Sequence, residues 1–261
     1  MTTPFDAVVA EIERQRYHNH RLELHSDRIS EGFFQDLQGR CGAFEGDVLG
    51  GVVKKWLNYP APGARNRKID MLVAGPAGRP DTPNLEEMRL CLENKSVVTA
   101  HRNRDARFDD LNEALTVLHR VKPAAILVAT VMIGTAERVL NVPDQVKKRF
   151  HDDELAFMKS VLPRLSSGDE TLWTDYSWAI STNRPADPQR TLDKFRKLPV
   201  RDPGHTHVIG YDFVLFVPVF IDNVNPPRVE RENVLGINID HEYHLMMDRV
   251  CRAYQNRWHW K

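Results

Sequence analysis

The sequence predicts an α/β fold, on three observations. Residues 124–133, AAILVATVMI, are a nearly unbroken apolar run of strand length, which suits a strand covered on both faces. Residues 105–120 place Phe108, Leu111, Leu115 and Leu118 at helical spacing, with charge on the other positions. Ahead of that helix, apolar stretches of strand length are separated by proline and glycine.

The elements follow in chain order. Residues 5–24 carry Phe5, Val8, Val9 and Ile12 and then Leu22 and Leu24, an amphipathic helix that weakens around Tyr17-His18-Asn19-His20. Ser26 or Ser30 can cap a second helix over about 30–39, which Gly39 ends. Val48–Leu57 reads as a first strand despite Gly50-Gly51, and Asn66–Val73 as a second, with Pro60, Pro62 and Gly63 in the turn between them. A loop over 75–80 leads to a third strand, Met88–Val98, and the helix of 105–120 ends at Pro123 before the strand of 124–133. Beyond it we expect a helix-leaning stretch over 143–165, a loop-rich region over 181–206, a strand at Val208–Phe220 and a helix near 240–256.

Charge restricts the possible partners. The 36 acidic and 36 basic residues balance, so no global field draws the chain to nucleic acid, and any such contact must come from local clusters. Cys41, Cys91 and Cys251 are odd in number, far apart and without CxxC spacing, so buried thiols are expected rather than a disulfide framework or a zinc site. The N-terminus has no basic segment followed by an apolar one, and no window approaches the ~20 apolar residues of a membrane span. A cytoplasmic protein with no membrane contact is expected. Gly50-Gly51 lacks the GK[ST] that follows in a P-loop, so no nucleotide cofactor is indicated.

Chemistry concentrates in one triplet. Glu93-Asn94-Lys95 is the only D/E-x-K in the chain, and it interrupts an apolar strand. Side chains two apart in a strand share a face, so Glu93 and Lys95 project together. Burying such charges is costly unless they are paired or bind metal. A second acid, Asp70, occurs in Lys68-Ile69-Asp70-Met71-Leu72-Val73, again within an apolar strand. If the two strands are neighbours the carboxylates converge, and paired acidic oxygens suit Mg²⁺. Lys95 would then stand beside an attacking water or a scissile phosphate, where its ammonium offsets charge developing in the transition state.

The order helix, strand, Asp70 strand, Glu93-Asn94-Lys95 strand, helix, strand resembles the core of the PD-(D/E)xK nucleases, the restriction-endonuclease-like fold. The resemblance covers about residues 30–133; it implies a mixed central β-sheet flanked by helices, within a single domain over 1–261 whose C-terminal half, about 134–261, is an elaboration. It further implies Asp70 and Glu93 as metal ligands and Lys95 as the catalytic lysine. Ile69 stands where the family name has proline. Many members add an acid from the first helix, for which Glu31 is the favoured candidate and Glu45, placed in a turn, the other. The expected activity is that of a Mg²⁺-dependent DNA endonuclease of the type II restriction kind, acting on double-stranded DNA as a homodimer. The alternatives are another nuclease of this fold, for repair, recombination or RNA cleavage, and an inactive nucleic-acid-binding module.

Two basic clusters flank these strands. His101, Arg102, Arg104 and Arg107 gather at a helix start, where positive charge opposes the helix dipole and suits an anionic partner such as DNA phosphate. Arg65, Arg67 and Lys68 belong to a run over 54–68 with five basic and no acidic residues. Asn183, Arg184, Arg190 and Arg201 are candidate base readers. The tripeptide His18-Asn19-His20 is a coincidental HNH, and His241-Glu242-Tyr243-His244 is one residue short of zinc-binding HExxH and reads as a helix start near Asp240. The tail Trp258-His259-Trp260 could anchor in the core or in a partner.

Overall fold

The computed structural model describes residues 2–15, 23–62, 67–78, 82–141, 163–164, 167, 169–175, 177 and 180–259. The helices are α1 (Pro4–Gln15), α2 (Glu23–Arg40), α3 (Gly42–Leu49), α4 (Arg104–Val121), α5 (Thr171–Asp175), α6 (Asp187–Phe195) and α7 (Ile239–Trp258). The strands are β1 (Lys54–Pro60), β2 (Lys68–Pro76), β3 (Pro83–Val97), β4 (Ile126–Gly134), β5 (Arg138–Leu140), β6 (Ile180–Thr182), β7 (Phe213–Phe220) and β8 (Arg228–Val229). Six of them form one sheet in the order β1-β2-β3-β4-β7-β8. Its centre, β3-β4-β7, is parallel and its flanks are antiparallel, so the chain is an α/β protein with a mixed central sheet. β5 and β6 pair separately.

Helices cover both faces. On one face, Met71, Val73, Leu90, Leu92, Ile126, Val128, Leu215 and Val217 pack under α1, α2, α3 and α7, which contribute Phe5, Phe33, Leu37, Phe44, Met246 and Val250. On the other, Cys91, Leu127, Ala129 and Val131 meet Leu111, Leu115 and Leu118 of α4 and Leu192 and Phe195 of α6. All nine residues of β4 are buried, as its apolar run requires. β7 and α7 belong to this core although they lie beyond residue 133, so the sheet is completed by the C-terminal half rather than decorated by it.

Several sequence expectations are corrected. α2 begins at Glu23, so Ser26 and Ser30 lie inside the helix rather than capping it. Residues 48–57 are not one strand. α3 occupies the first part, with Glu45 in a helix and not a turn, and Gly50-Gly51 close it. Gly51 has φ +70°, the left-handed conformation that glycine supplies after a helix end. The loop-rich stretch 181–206 contains α6, started by Asp187-Pro188 with Pro at the helix entry and burying Leu192 and Phe195. The strand expected from 208 begins at Phe213. α7 is capped by Asn238, whose side chain accepts from the His241 N–H, and not by Asp240. The helix-leaning stretch 143–165 falls almost wholly outside the described residues, as do His18-Asn19-His20 and Arg65.

The cysteine expectation is also corrected. Cys41 and Cys251 form a disulfide that ties the α2–α3 junction to α7, with Cα atoms 5.4 Å apart, and only Cys91 is a buried free thiol. The two cysteines are 210 residues apart in sequence and meet only because α3 packs on α7. Of the tail, Trp258 packs against the core with the Arg89 guanidinium 5.5 Å from its ring centroid, His259 Nε2 is 2.8 Å from Asp47 Oδ2, and Trp260 lies outside the described residues. Among the described residues no helix is long and apolar enough to cross a membrane.

Candidate active site

β2 and β3 are neighbours, so Asp70 meets Glu93 and Lys95. Their antiparallel ladder runs in register from Val73↔Leu90 to Met71↔Leu92, after register shifts on either side of Ala74. Beyond Met71 a carboxylate takes over the pairing: the main-chain N–H of Asn94 donates to Asp70 Oδ2 at 2.6 Å. On the same side stand Glu93 and Lys95, with Lys95 Nζ 3.0 Å from Glu93 Oε2 and 3.8 Å from Asp70 Oδ2. The neighbour of Glu93 across the parallel ladder is Ala129.

Burial sets the electrostatics. Glu93 is 1% exposed, while Asp70 and Lys95 keep 16% of their side chains accessible. Burial pushes the Glu93 carboxyl above its ordinary value; Lys95 opposes that shift and the charge of Asp70 adds to it. Burial would lower the Lys95 ammonium, but the carboxylates of Glu93 and Asp70 outweigh it and hold the group above its usual value. One ammonium therefore balances two acids.

A second cation reaches the site. Arg67 Nη2 is 3.9 Å from Glu93 Oε2, and the same guanidinium donates to the Asp110 carbonyl of α4 and to Glu113 Oε2 at 3.2 Å. Sequence reasoning placed Arg67 in a DNA-binding run. The structure places it as a strap between the start of β2, α4 and Glu93. No sequence signal separates it from Lys68, which is exposed.

Among the described residues no group of three or more His, Cys, Asp and Glu could hold a metal. Glu31, expected as a third ligand, is in an ion pair with Lys55 of β1, and Glu45 is exposed on α3. Two acids remain. Glu93 Oε1 is buried with no hydrogen-bond partner among the described residues, an unmet acceptor beside Asp70 and Lys95. That is compatible with Mg²⁺, which commonly takes one or two carboxylates and fills its other positions with water and phosphate oxygens.

The basic residues after β3 divide. His101 is 1% exposed and does not reach solvent. Its Nε2 donates to the Gly134 carbonyl at 2.9 Å, so Nδ1 accepts from the Thr191 hydroxyl at 2.7 Å. A side chain at Gly134 would strike the Val98 main chain, which is why glycine stands there. His101 is a neutral pin joining the end of β3 to β4 and α6, and its expected role in binding nucleic acid is set aside. Arg102 and Arg107 are exposed, Arg107 beside Asp110 at 3.1 Å, and Arg104 lies 3.9 Å from Asp187 of α6. Two candidate base readers are buried instead: Asn183 donates to the Ala136 carbonyl, and Arg201 is paired with Asp212 at 3.0 Å with both side chains fully enclosed. Arg184 and Arg190 remain on the surface.

Comparison with protein-family models, curated proteins and solved structures gives no match for the chain.

Proposed function

We propose that the chain is a Mg²⁺-dependent DNA endonuclease that hydrolyses phosphodiester bonds, with a restriction-endonuclease-like fold and a restriction-type role as a homodimer. The observation that carries the reading is the meeting of two carboxylates and one lysine, from adjacent strands, with one buried oxygen of Glu93 that no donor among the described residues satisfies. Such a set costs stability and has no packing purpose.

In this reading Asp70 and Glu93 hold the cation, which when bound supplies a Lewis acid and lowers the pKa of water. Each residue of the chain then has a definable task. Lys95, tethered to Glu93 Oε2, brings a positive charge to the place where a pentavalent phosphorus would gather negative charge. The Asn94 N–H keeps Asp70 turned toward that place, and Arg67 steadies Glu93 from the α4 side. Arg102 and Arg107, exposed at the head of α4, are suited to phosphates along the duplex without reading bases.

The test is incubation of the purified protein with mixed-sequence duplex DNA and Mg²⁺, followed by sequencing of the ends. Cleavage is expected, with Asp70→Ala and Glu93→Ala each inactive and folded. Activity retained near the wild-type level by either variant would refute the assignment.

A further inference from the structure

β3 carries its charged pair on one face, and the other face holds a polar residue where packing favours an apolar one. The row Leu90, Leu92, Asn94 runs under α2; the two leucines are fully buried in the core, and the third member is an amide. Asn94 is half-buried, and the part of an amide withdrawn from water costs free energy unless its polar atoms find partners. Here each does. Asn94 Nδ2 donates to Ser26 Oγ at 3.1 Å, to the Ser26 carbonyl at 3.2 Å and to Ser30 Oγ at 3.0 Å. Asn94 Oδ1 accepts from Thr130 Oγ1 at 2.7 Å, across the parallel ladder where Asn94 and Thr130 are register partners. Ser26 and Ser30, one helical turn apart, share the face of α2 turned to the sheet.

The same residue also touches the acid of the neighbouring strand, since its main-chain N–H is the donor to Asp70 Oδ2. Asn94 thus joins α2, β3, β4 and the Asp70 carboxylate at the level of Glu93 and Lys95, which are its chain neighbours. A leucine would fill the row without these partners and would leave β3 free to settle against α2 by shape alone.

We infer that Asn94 is the positioning residue of the centre: its side chain fixes β3 against α2 and β4, and its N–H fixes Asp70, so that Asp70, Glu93 and Lys95 keep one mutual geometry. What is positioned rests on the nuclease reading; the anchoring itself does not. α2 acts on the site through Asn94, although Glu31 of that helix is paired with Lys55.

Two variants of the full chain test this, Asn94→Leu and the double variant Ser26→Ala/Ser30→Ala, which leaves β3 untouched. Mn²⁺ affinity by calorimetry, Mg²⁺-dependent single-turnover cleavage, thermal melting and amide exchange across residues 90–97 are measured on each. Both variants are expected to fold, to exchange faster at positions 94 and 95, and to lose roughly 10–100-fold in Mn²⁺ affinity, the usual cost of removing a group that orients a ligand, with the cleavage rate falling alongside it. A merely structural asparagine would change the melting temperature and leave metal affinity alone. Folded variants with wild-type Mn²⁺ affinity overturn the positioning role. If the wild-type protein itself binds no Mn²⁺ and cuts no DNA, the nuclease reading fails, and unchanged exchange at Asn94 in both variants then overturns the anchoring as well.

Discussion

Lys95 touches both acids of the centre, so its removal separates stability from chemistry. Without it Glu93 and Asp70 face one another with no ammonium between them, and Lys95→Ala should lower stability by about 3 kcal/mol in metal-free buffer, the scale of breaking a buried pair. Added Mg²⁺ should restore part of that loss, because binding to the folded state alone stabilises it. Single-turnover cleavage should nevertheless fall by a factor of at least ~100, and Lys95→Arg should not rescue it, because a planar guanidinium does not reproduce a compact ammonium. Cleavage by Lys95→Ala at close to the wild-type rate would reduce the triplet to a chance occurrence. Glu93→Gln runs the opposite way: it relieves a carboxyl that burial disfavours, so urea titration should show a fold at least as stable as wild type, while Mn²⁺ binding is lost. Glu93 and Lys95 were legible in the sequence because the two-residue period of a strand puts them on one face, and Asp70 because it is a charge in an apolar stretch. Asn94 and Arg67 were not legible, since their partners, Ser26, Ser30, Asp110 and Glu113, are set by packing rather than by spacing.

At the level of elements, the histidine pin between β3, β4 and α6 makes stability depend on pH. Burial lowers the His101 imidazole below its usual 6.5, with the Gly134 carbonyl and Asp187 opposing the shift and Arg104 adding to it. His25 and His119 are lowered chiefly by burial too. The unfolded chain binds protons below about pH 6.5 that these folded sites refuse, so their contribution is complete above that value and is lost as pH falls through it. Asp6, held below its ordinary value by Arg231 and Thr3 against the effect of burial, keeps its contribution until pH falls past 3.8. A melting temperature that drops between pH 7 and 5, with a shallower drop in His101→Gln, is the expected profile; a wild-type curve flat over that range would contradict it. Long elements were readable, α4 from its helical spacing and β4 from its unbroken apolar run. α3 and α6 were not, because a short helix closed by two glycines and one buried in a proline-rich stretch have too few residues to show a period. The burial of His101 was hidden for a related reason: its partners lie 33 and 90 residues away in the chain.

For the whole molecule, the bond between Cys41 and Cys251 closes a loop with a sequence separation of 210 residues. Loop closure of that length restricts the unfolded chain, and its loss should cost about 5 kcal/mol. Urea denaturation with and without reductant measures this, and Cys41→Ser/Cys251→Ser should match the reduced protein. A thiol count on the denatured, unreduced chain should find Cys91 alone; three reactive thiols would show the bond absent. The sequence offered no hint of the pairing, because neither spacing nor number of cysteines indicates which helices will lie together. The position of the bond has a mechanical result as well. Tension applied between the two ends of the chain passes through the sulfur atoms, so it is borne by residues up to 41 and from 251 onward. The sheet, with Asp70, Glu93 and Lys95 on it, lies outside the path of the load. Adding reductant to a stretched molecule would release roughly 700 Å of further extension, the length of 210 residues drawn out straight.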